Sequence, residues 1–106
     1  ANKQDALTST FTTIATNITL ESYGNVRCLA LTSYSVTSST LCTIPSGNRP
    51  NVSFVAVGRW YNGSAYYPSL VTVASNGVVS ASYFNGSTVA AISSGTINAS
   101  VTWIVA

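Results

Sequence analysis

From Ser9 onward the chain alternates short apolar or β-branched runs with Gly, Asn, Ser and Pro, and no segment repeats its apolar residues with a helical period. The partly regular positions Phe11, Ile14, Ile18 and Leu20 predict one or two short strands across residues 9–23, interrupted near Thr16-Asn17. After a turn at Gly24-Asn25, Val26, Cys28 and Ala30 alternate with Arg27, Leu29 and Leu31 in a further strand. The Ser/Thr-rich run 32–40 reads as a hairpin loop, and 41–44 resumes strand character. That strand stops at Pro45 to Pro50, where two prolines remove ladder donors and Gly47 permits a tight turn. Residues 52–58 form a short apolar strand entering the first of three Asn-Gly pairs, at 62–63, 76–77 and 85–86. Such pairs between β-forming runs predict hairpins because both residues accept positive φ. Pro68 marks an edge position or a strand start.

A two-residue loop at Asn76-Gly77 sets pairs that sum to 153, so that Leu70 opposes Tyr83 and Val71 opposes Ser82. One face then carries Leu70, Ala74, Val79, Ala81 and Tyr83, and the other Val71, Val73 and Val78. A hairpin apolar on both faces calls for two partners, the domain core and a neighbouring subunit. Ser93 to Gly95 is the last turn, and residues 97–105 are the final strand. Its end, Val101-Thr-Trp-Ile-Val-Ala106, is an aggregation hazard if exposed. It is therefore expected in the centre of the sheet or on an assembly axis, with Trp103 in the core or an interface. About eight strands with turn signals every 8–12 residues or so predict an all-β antiparallel Greek-key barrel or sandwich.

A chain of 106 residues has room for one domain and one core. Residues 1–8 differ from the rest: they hold Lys3 and Asp5 and lack β-branched side chains until Thr8, and they read as the end of a preceding neck or linker. The start at Ala1 and the absence of methionine point to a processed product or a fragment of a longer protein, the fragment being favoured, with residues 9–106 as its β-barrel domain. Only 6% of residues are charged, against roughly 25% in ordinary domains. So little surface charge favours association, and an oligomer is expected. The net charge of +2 is too small and too poor in lysine for a nucleic-acid footprint. No apolar run reaches the ~18 residues of a membrane-spanning helix, so no membrane insertion is expected. Cys28 and Cys42 fit no metal or redox spacing, and without histidine they cannot close a tetrahedral site. Two buried thiols are the expected state, with a disulfide as the alternative if residues 26–44 form one hairpin.

The densest chemistry lies at 58–67, Gly-Arg-Trp-Tyr-Asn-Gly-Ser-Ala-Tyr-Tyr, which holds four aromatic residues and one of the four cations. A saccharide site asks for an aromatic face to stack on a sugar ring and for amides or hydroxyls to meet its OH groups. Trp60 with Tyr61, Tyr66 or Tyr67 supplies the first, and Asn62, Ser64 and the turn backbone supply the second. Arg59 adds a fork able to hold phosphate or carboxylate, so a phosphorylated or acidic glycan is favoured. Arg49 and Tyr83 complete the candidates. The competing reading has Trp60 folded back over the core and the arginines bonded to carbonyls. Catalysis is not expected: histidine is absent, and the two carboxylates, Asp5 and Glu21, stand in the weakly patterned N-terminal region. No cofactor is expected.

The order Ile44-Pro-Ser-Gly-Asn-Arg-Pro50, an apolar strand with Trp60, Val71-Thr-Val, Asn76-Gly-Val-Val, Gly95-Thr-Ile and Thr102-Trp-Ile-Val resembles the C-terminal head domains of siphophage tail receptor-binding proteins, above all the lactococcal type. The opening Asn2-Lys-Gln-Asp-Ala-Leu7 is similar to the end of the neck before such a head. The resemblance implies a homotrimer of antiparallel barrels at the tip of a phage tail, binding host cell-envelope saccharide during adsorption. Family sites combine Trp with Arg, His and Asp; this chain has no His, and its only Asp is Asp5, so that part of the pattern does not carry over. Two other readings stand beside it: a structural trimerisation cap or virion decoration domain without glycan binding, and a secreted monomeric carbohydrate-binding module.

Overall fold

The computed structural model describes residues 9–105; the neck-like residues 1–8 lie outside them. Nine strands follow one another: β1 Thr10–Ala15, β2 Ile18–Tyr23, β3 Val26–Ser35, β4 Thr40–Thr43, β5 Phe54–Tyr61, β6 Tyr66–Val73, β7 Val78–Asn85, β8 Thr88–Ala91 and β9 Thr96–Ile104. The described residues contain no helix, and the strands form a nearly closed antiparallel barrel. Hydrogen-bonded neighbours run β1-β2-β3-β9-β5-β6-β7-β4. The far edge of β7 is shared: Val78 to Ser80 meet β4, and Ser82 to Asn85 meet β8. β1 approaches β4 across the remaining opening.

Turn chemistry explains where the strands reverse. Two-residue loops join β1 to β2 at Thr16-Asn17 and β2 to β3 at Gly24-Asn25, with Asn17 at φ 66° and Gly24 at φ 59°. Asn and Gly accept the positive φ that keeps the loop in step with strand twist. β3 runs on to Ser35, so the expected long Ser/Thr loop shrinks to four residues before β4. What carries β3 forward is a bulge between Leu31 and Tyr34: Ser33 takes φ 47° and its N–H donates to Asn98 Oδ1 at 2.9 Å. The extra residue is thereby accommodated without ending the pairing with β9.

Two hairpins have loops longer than two residues, and the one at Asn76-Gly77 differs in this from the sequence expectation. Between β6 and β7 the loop has three residues, Ser75 to Gly77, closed by Ala74 N–H to Val78 O at 3.0 Å, with Gly77 at φ 93°. Pairs therefore sum to 152, as in Leu70 with Ser82 and Val71 with Ala81. A one-residue slip turns each side chain to the other face. Val71, Val73, Val79 and Ala81 are buried in the barrel, while Leu70 is left on the outside. Between β5 and β6 the loop has four residues, Asn62 to Ala65, flanked by the pair Tyr61 and Tyr66.

The core is a single cluster filled from nearly all strands: Ile18 and Leu20, Leu29 and Leu31, Leu41, Trp60, Val71 and Val73, Val79 and Ala81, Ile97, Val101 and Trp103. Ile44 and Ile92 close it from the connecting segments. Each such Leu, Ile or Val contributes about 1.5–3 kcal/mol when fully buried. β9, the final strand, lies between β3 and β5, the central position expected of its apolar sequence. β5 pairs with β9 at Arg59 to Tyr61. Cys28 and Cys42 are free thiols. No hairpin joins their strands, since β3 pairs with β2 and β9 whereas β4 pairs with β7.

Candidate functional site

The β5–β6 hairpin deals its aromatics to two faces by strand alternation. Trp60 and its partner Tyr67 point inward, joined by Tyr83 from β7. Ring centroids lie 4.4 Å apart for Trp60 and Tyr83, 5.6 Å for Trp60 and Tyr67, and 5.4 Å for Tyr67 and Tyr83. The Trp60 indole N–H donates to Ser94 O at 2.7 Å, and the residue is 7% exposed. The expectation that Trp60 offers its face to solvent is thus corrected: it plugs one end of the barrel, because strand alternation and a loop carbonyl both hold it inside. Tyr67 and Tyr83 belong to the same inner stack.

Arg59, Tyr61 and Tyr66 share the outer face. Tyr61 and Tyr66 are a cross-strand pair with centroids 4.7 Å apart, tilted by 38°. The Arg59 guanidinium carbon lies 4.5 Å from the Tyr66 ring centroid, and Tyr66 is 60% exposed. This is cation–π geometry. The Tyr61 hydroxyl donates to Gly63 O at 2.9 Å, tying the stack to the loop. Asn62 is part of the loop's own framework: its Oδ1 accepts the N–H groups of Ser64 at 2.7 Å and Ala65 at 2.8 Å. Its amide nitrogen has no protein partner among the described residues.

Arg49 belongs to the opposite end of the barrel. Its Nε donates to Ile44 O at 2.8 Å and its side chain packs over Gly77. There the segment between β4 and β5 closes the barrel: Asn48 Oδ1 accepts from Arg27 Nε at 2.7 Å, and Asn48 O accepts from Trp103 Nε1 at 2.8 Å. The eight sequence candidates therefore fall into an outer stack (Arg59, Tyr61, Tyr66), a loop (Asn62), an inner stack (Trp60, Tyr67, Tyr83) and a distant clamp (Arg49).

The outer face is a shelf rather than a cleft, as no cavity opens among the described residues. Glu21 is the only acid among them, and it stands on β2 between Phe11 and Cys28, on a strand that does not adjoin β5. Exposed apolar residues not among the sequence candidates extend this surface: Val55 at 55% and Val57 at 69% exposure lie in line with Arg59 on β5, and Phe84 and Val89 are a further exposed pair on β7 and β8. On β5 the signal is the phase of Arg59, which faces solvent: positions in step with it face out and Trp60, out of step, faces in. A charge is not a general marker of the outer face, since on β3 Arg27 is in step with the buried Leu29 and Leu31. Among the described residues no three His, Cys, Asp or Glu side chains converge as metal ligands would. The chain matches no model of a known protein family, and no curated protein matches its sequence.

Proposed function

We propose that this domain is a non-enzymatic adhesin head that recognises saccharide of a host cell envelope, in the phage-tail setting that the sequence resemblance implies. The observation that carries this reading is the outward stack of Arg59, Tyr66 and Tyr61 beside the Asn62 to Ala65 loop. Tyr66, packed between Arg59 and Tyr61 yet 60% exposed, offers aromatic surface to the apolar side of a sugar. Arg59, held over that ring, keeps N–H donors for a phosphate or carboxylate on the same glycan. The free amide nitrogen of Asn62 adds a donor for a sugar hydroxyl. Trp60, Tyr67 and Tyr83 support the hairpin from inside instead of touching ligand.

A single open shelf of this kind binds weakly. Three copies in a homotrimer, facing a repeating polymer, raise avidity by about 10²–10⁴ without a new contact. The test is calorimetric titration of the purified domain with cell-wall polysaccharide fragments from a panel of Gram-positive strains. Strain-selective binding that falls at least ~10-fold in Arg59→Ala and Tyr66→Ala, with folding unchanged, is the expected result. Undiminished binding by both variants removes this face from consideration.

The exposed valines favour a second reading. Val55 and Val57 extend the same face as apolar surface without charge, which suits a subunit contact in a structural trimerisation or decoration domain. On that reading Val57→Lys reduces the assembly to a species near 11.0 kDa in light scattering, and no glycan binds the wild type.

A further inference from the structure

Three Asn-Gly pairs sit in hairpins of one small domain, and their surroundings differ. In such a pair the asparagine carboxamide is an electrophile one five-membered ring away from the next backbone nitrogen, and glycine has no Cβ to obstruct closure. Ring closure requires a glycine N–H not held in a hydrogen bond, a carboxamide free to turn onto it, and a backbone able to leave its folded dihedrals.

At Asn76-Gly77 each requirement is opposed. The Gly77 N–H donates to Ala74 O at 2.9 Å, Asn76 Oδ1 accepts from Val78 N–H at 3.1 Å, and Gly77 is buried beneath Arg49. At Asn62-Gly63 the carboxamide oxygen accepts two backbone N–H groups, and the Asn62 N–H donates to Ala65 O at 3.1 Å. Turning that carboxamide breaks the framework of the loop.

Asn85-Gly86 shares with Asn62-Gly63 its exposure and the open space around the glycine, and differs in how its carboxamide is held. Neither the Asn85 carboxamide nor the Gly86 N–H has a hydrogen-bond partner among the described residues. One side-chain restraint remains, the Thr88 hydroxyl donating to Asn85 O at 2.8 Å. The strand beyond, β8, has four residues and pairs only with β7, so opening this tip breaks few bonds.

We propose that Asn85 is a site of spontaneous backbone-assisted deamidation, favoured over Asn62 and Asn76 by the local structure. The Gly86 amide nitrogen, losing its proton to base, attacks Cγ of Asn85. The Cγ–Nδ2 bond breaks and ammonia leaves with the proton it needs. A solvent water then adds to either carbonyl of the cyclic imide and opens it to aspartate or isoaspartate; nothing is oxidised or reduced. The product lowers the formal net charge from +2 to +1. In the isoaspartyl form the main chain runs through the side-chain carbon, which lengthens the tip and uncouples β8 from β7. β6 begins and β7 ends at the same end of the barrel, so the new carboxylate appears at the end that carries Tyr66.

The experiment is to hold the folded protein in mildly alkaline buffer, sample it over days, and map peptides by mass spectrometry with separation of the aspartyl and isoaspartyl forms. The Asn85 peptide is expected to convert at least ~10-fold faster than those of Asn62 and Asn76, a ratio equivalent to about 1.4 kcal/mol of added restraint at the other two. In urea-unfolded protein the three should convert at similar rates, because only the chemistry they share remains. Asn85→Gln should abolish the leading product and leave the other two rates as they were. Conversion led by Asn62 or Asn76 in the folded state, equal rates at all three, or an inert Asn85 while the unfolded chain reacts would each overturn the proposal.

Discussion

Trp60 and Trp103 stop the barrel at its two ends in the same manner, each donating its indole N–H to the carbonyl of a connecting segment: Trp60 to Ser94 O at 2.7 Å and Trp103 to Asn48 O at 2.8 Å. Trp60 pairs with Ile97 on β9, six residues before Trp103, which separates the two levels by about 20 Å of strand. Each ring joins an inner aromatic contact, Trp60 with Tyr83 and Trp103 with Phe54 at 6.1 Å. Replacing either with alanine opens a cavity and leaves a carbonyl unpaired, so a loss of about 3–5 kcal/mol is expected in urea unfolding. Loss of glycan binding in Trp60→Ala would therefore report unfolding as readily as a missing contact.

The glycines at 63 and 77 should respond differently to alanine although both have positive φ, 106° and 93°. Around Gly63 nothing lies within 4 Å of a new Cβ, leaving only backbone strain of about 1–2 kcal/mol. At Gly77 the Cβ would meet the Arg49 side chain and stand 2.7 Å from Ile44 O, against the clamp that closes the barrel. Thermal melts should show Gly77→Ala far below Gly63→Ala. Equal melting temperatures would mean that the clamp yields freely.

Ser69 holds the one buried side-chain polar atom without a hydrogen-bond partner among the described residues. It faces Gly58, whose added Cβ would stand 3.0 Å from the Ser69 hydroxyl oxygen and 2.8 Å from both Ala99 Cβ and Asn98 O. An unpaired buried hydroxyl is a liability, so Ser69→Ala is expected to be neutral or stabilising by up to about 1 kcal/mol. Gly58→Ala should destabilise by forcing β5 from β9. A clear loss of stability in Ser69→Ala, measured by denaturant titration, would show that the hydroxyl has a partner in solution.

Burial pushes the Cys42 thiol up from 9.0 to about 11. The unfolded thiol gives up its proton first, so between those two values the unfolded state binds fewer protons than the folded one. This contribution leaves stability intact below pH 9.0 and lowers it as pH rises toward about 11. Denaturation midpoints across that window should fall more steeply for the wild type than for Cys42→Ala. The same burial should slow alkylation of Cys42 in the folded protein relative to the unfolded one. Parallel pH profiles for wild type and variant would refute the assignment.

Much of the candidate site could be read from the chain, but not its division. Residues 58–67 stood out through aromatic density, and the structure does gather Arg59, Tyr61 and Tyr66 there. Trp60 and Tyr67 could not be separated from them by composition, because adjacent residues on a strand share a neighbourhood in sequence and face opposite ways in space. Arg49 was a candidate only because a turn arginine looks free on paper. Its carbonyl partner, Ile44 O, becomes visible once the segment folds over the barrel end.

Local sequence alone marks a β-protein, places the ends of most strands and puts the last strand in the interior. Local chemistry suffices for those features: Asn and Gly at positive φ, prolines withholding donors, and apolar runs too short and irregular for helices. Which face of the β6–β7 hairpin lies inside is settled by packing in three dimensions. Asn76-Gly77 is compatible with a loop of two or three residues, and the choice is made by whether Val71 and Val73 or Leu70 and Ala74 complete the core. The energy that selects the register comes from residues on other strands, such as Leu29, Val101 and Ile18, which no local pattern around the turn contains.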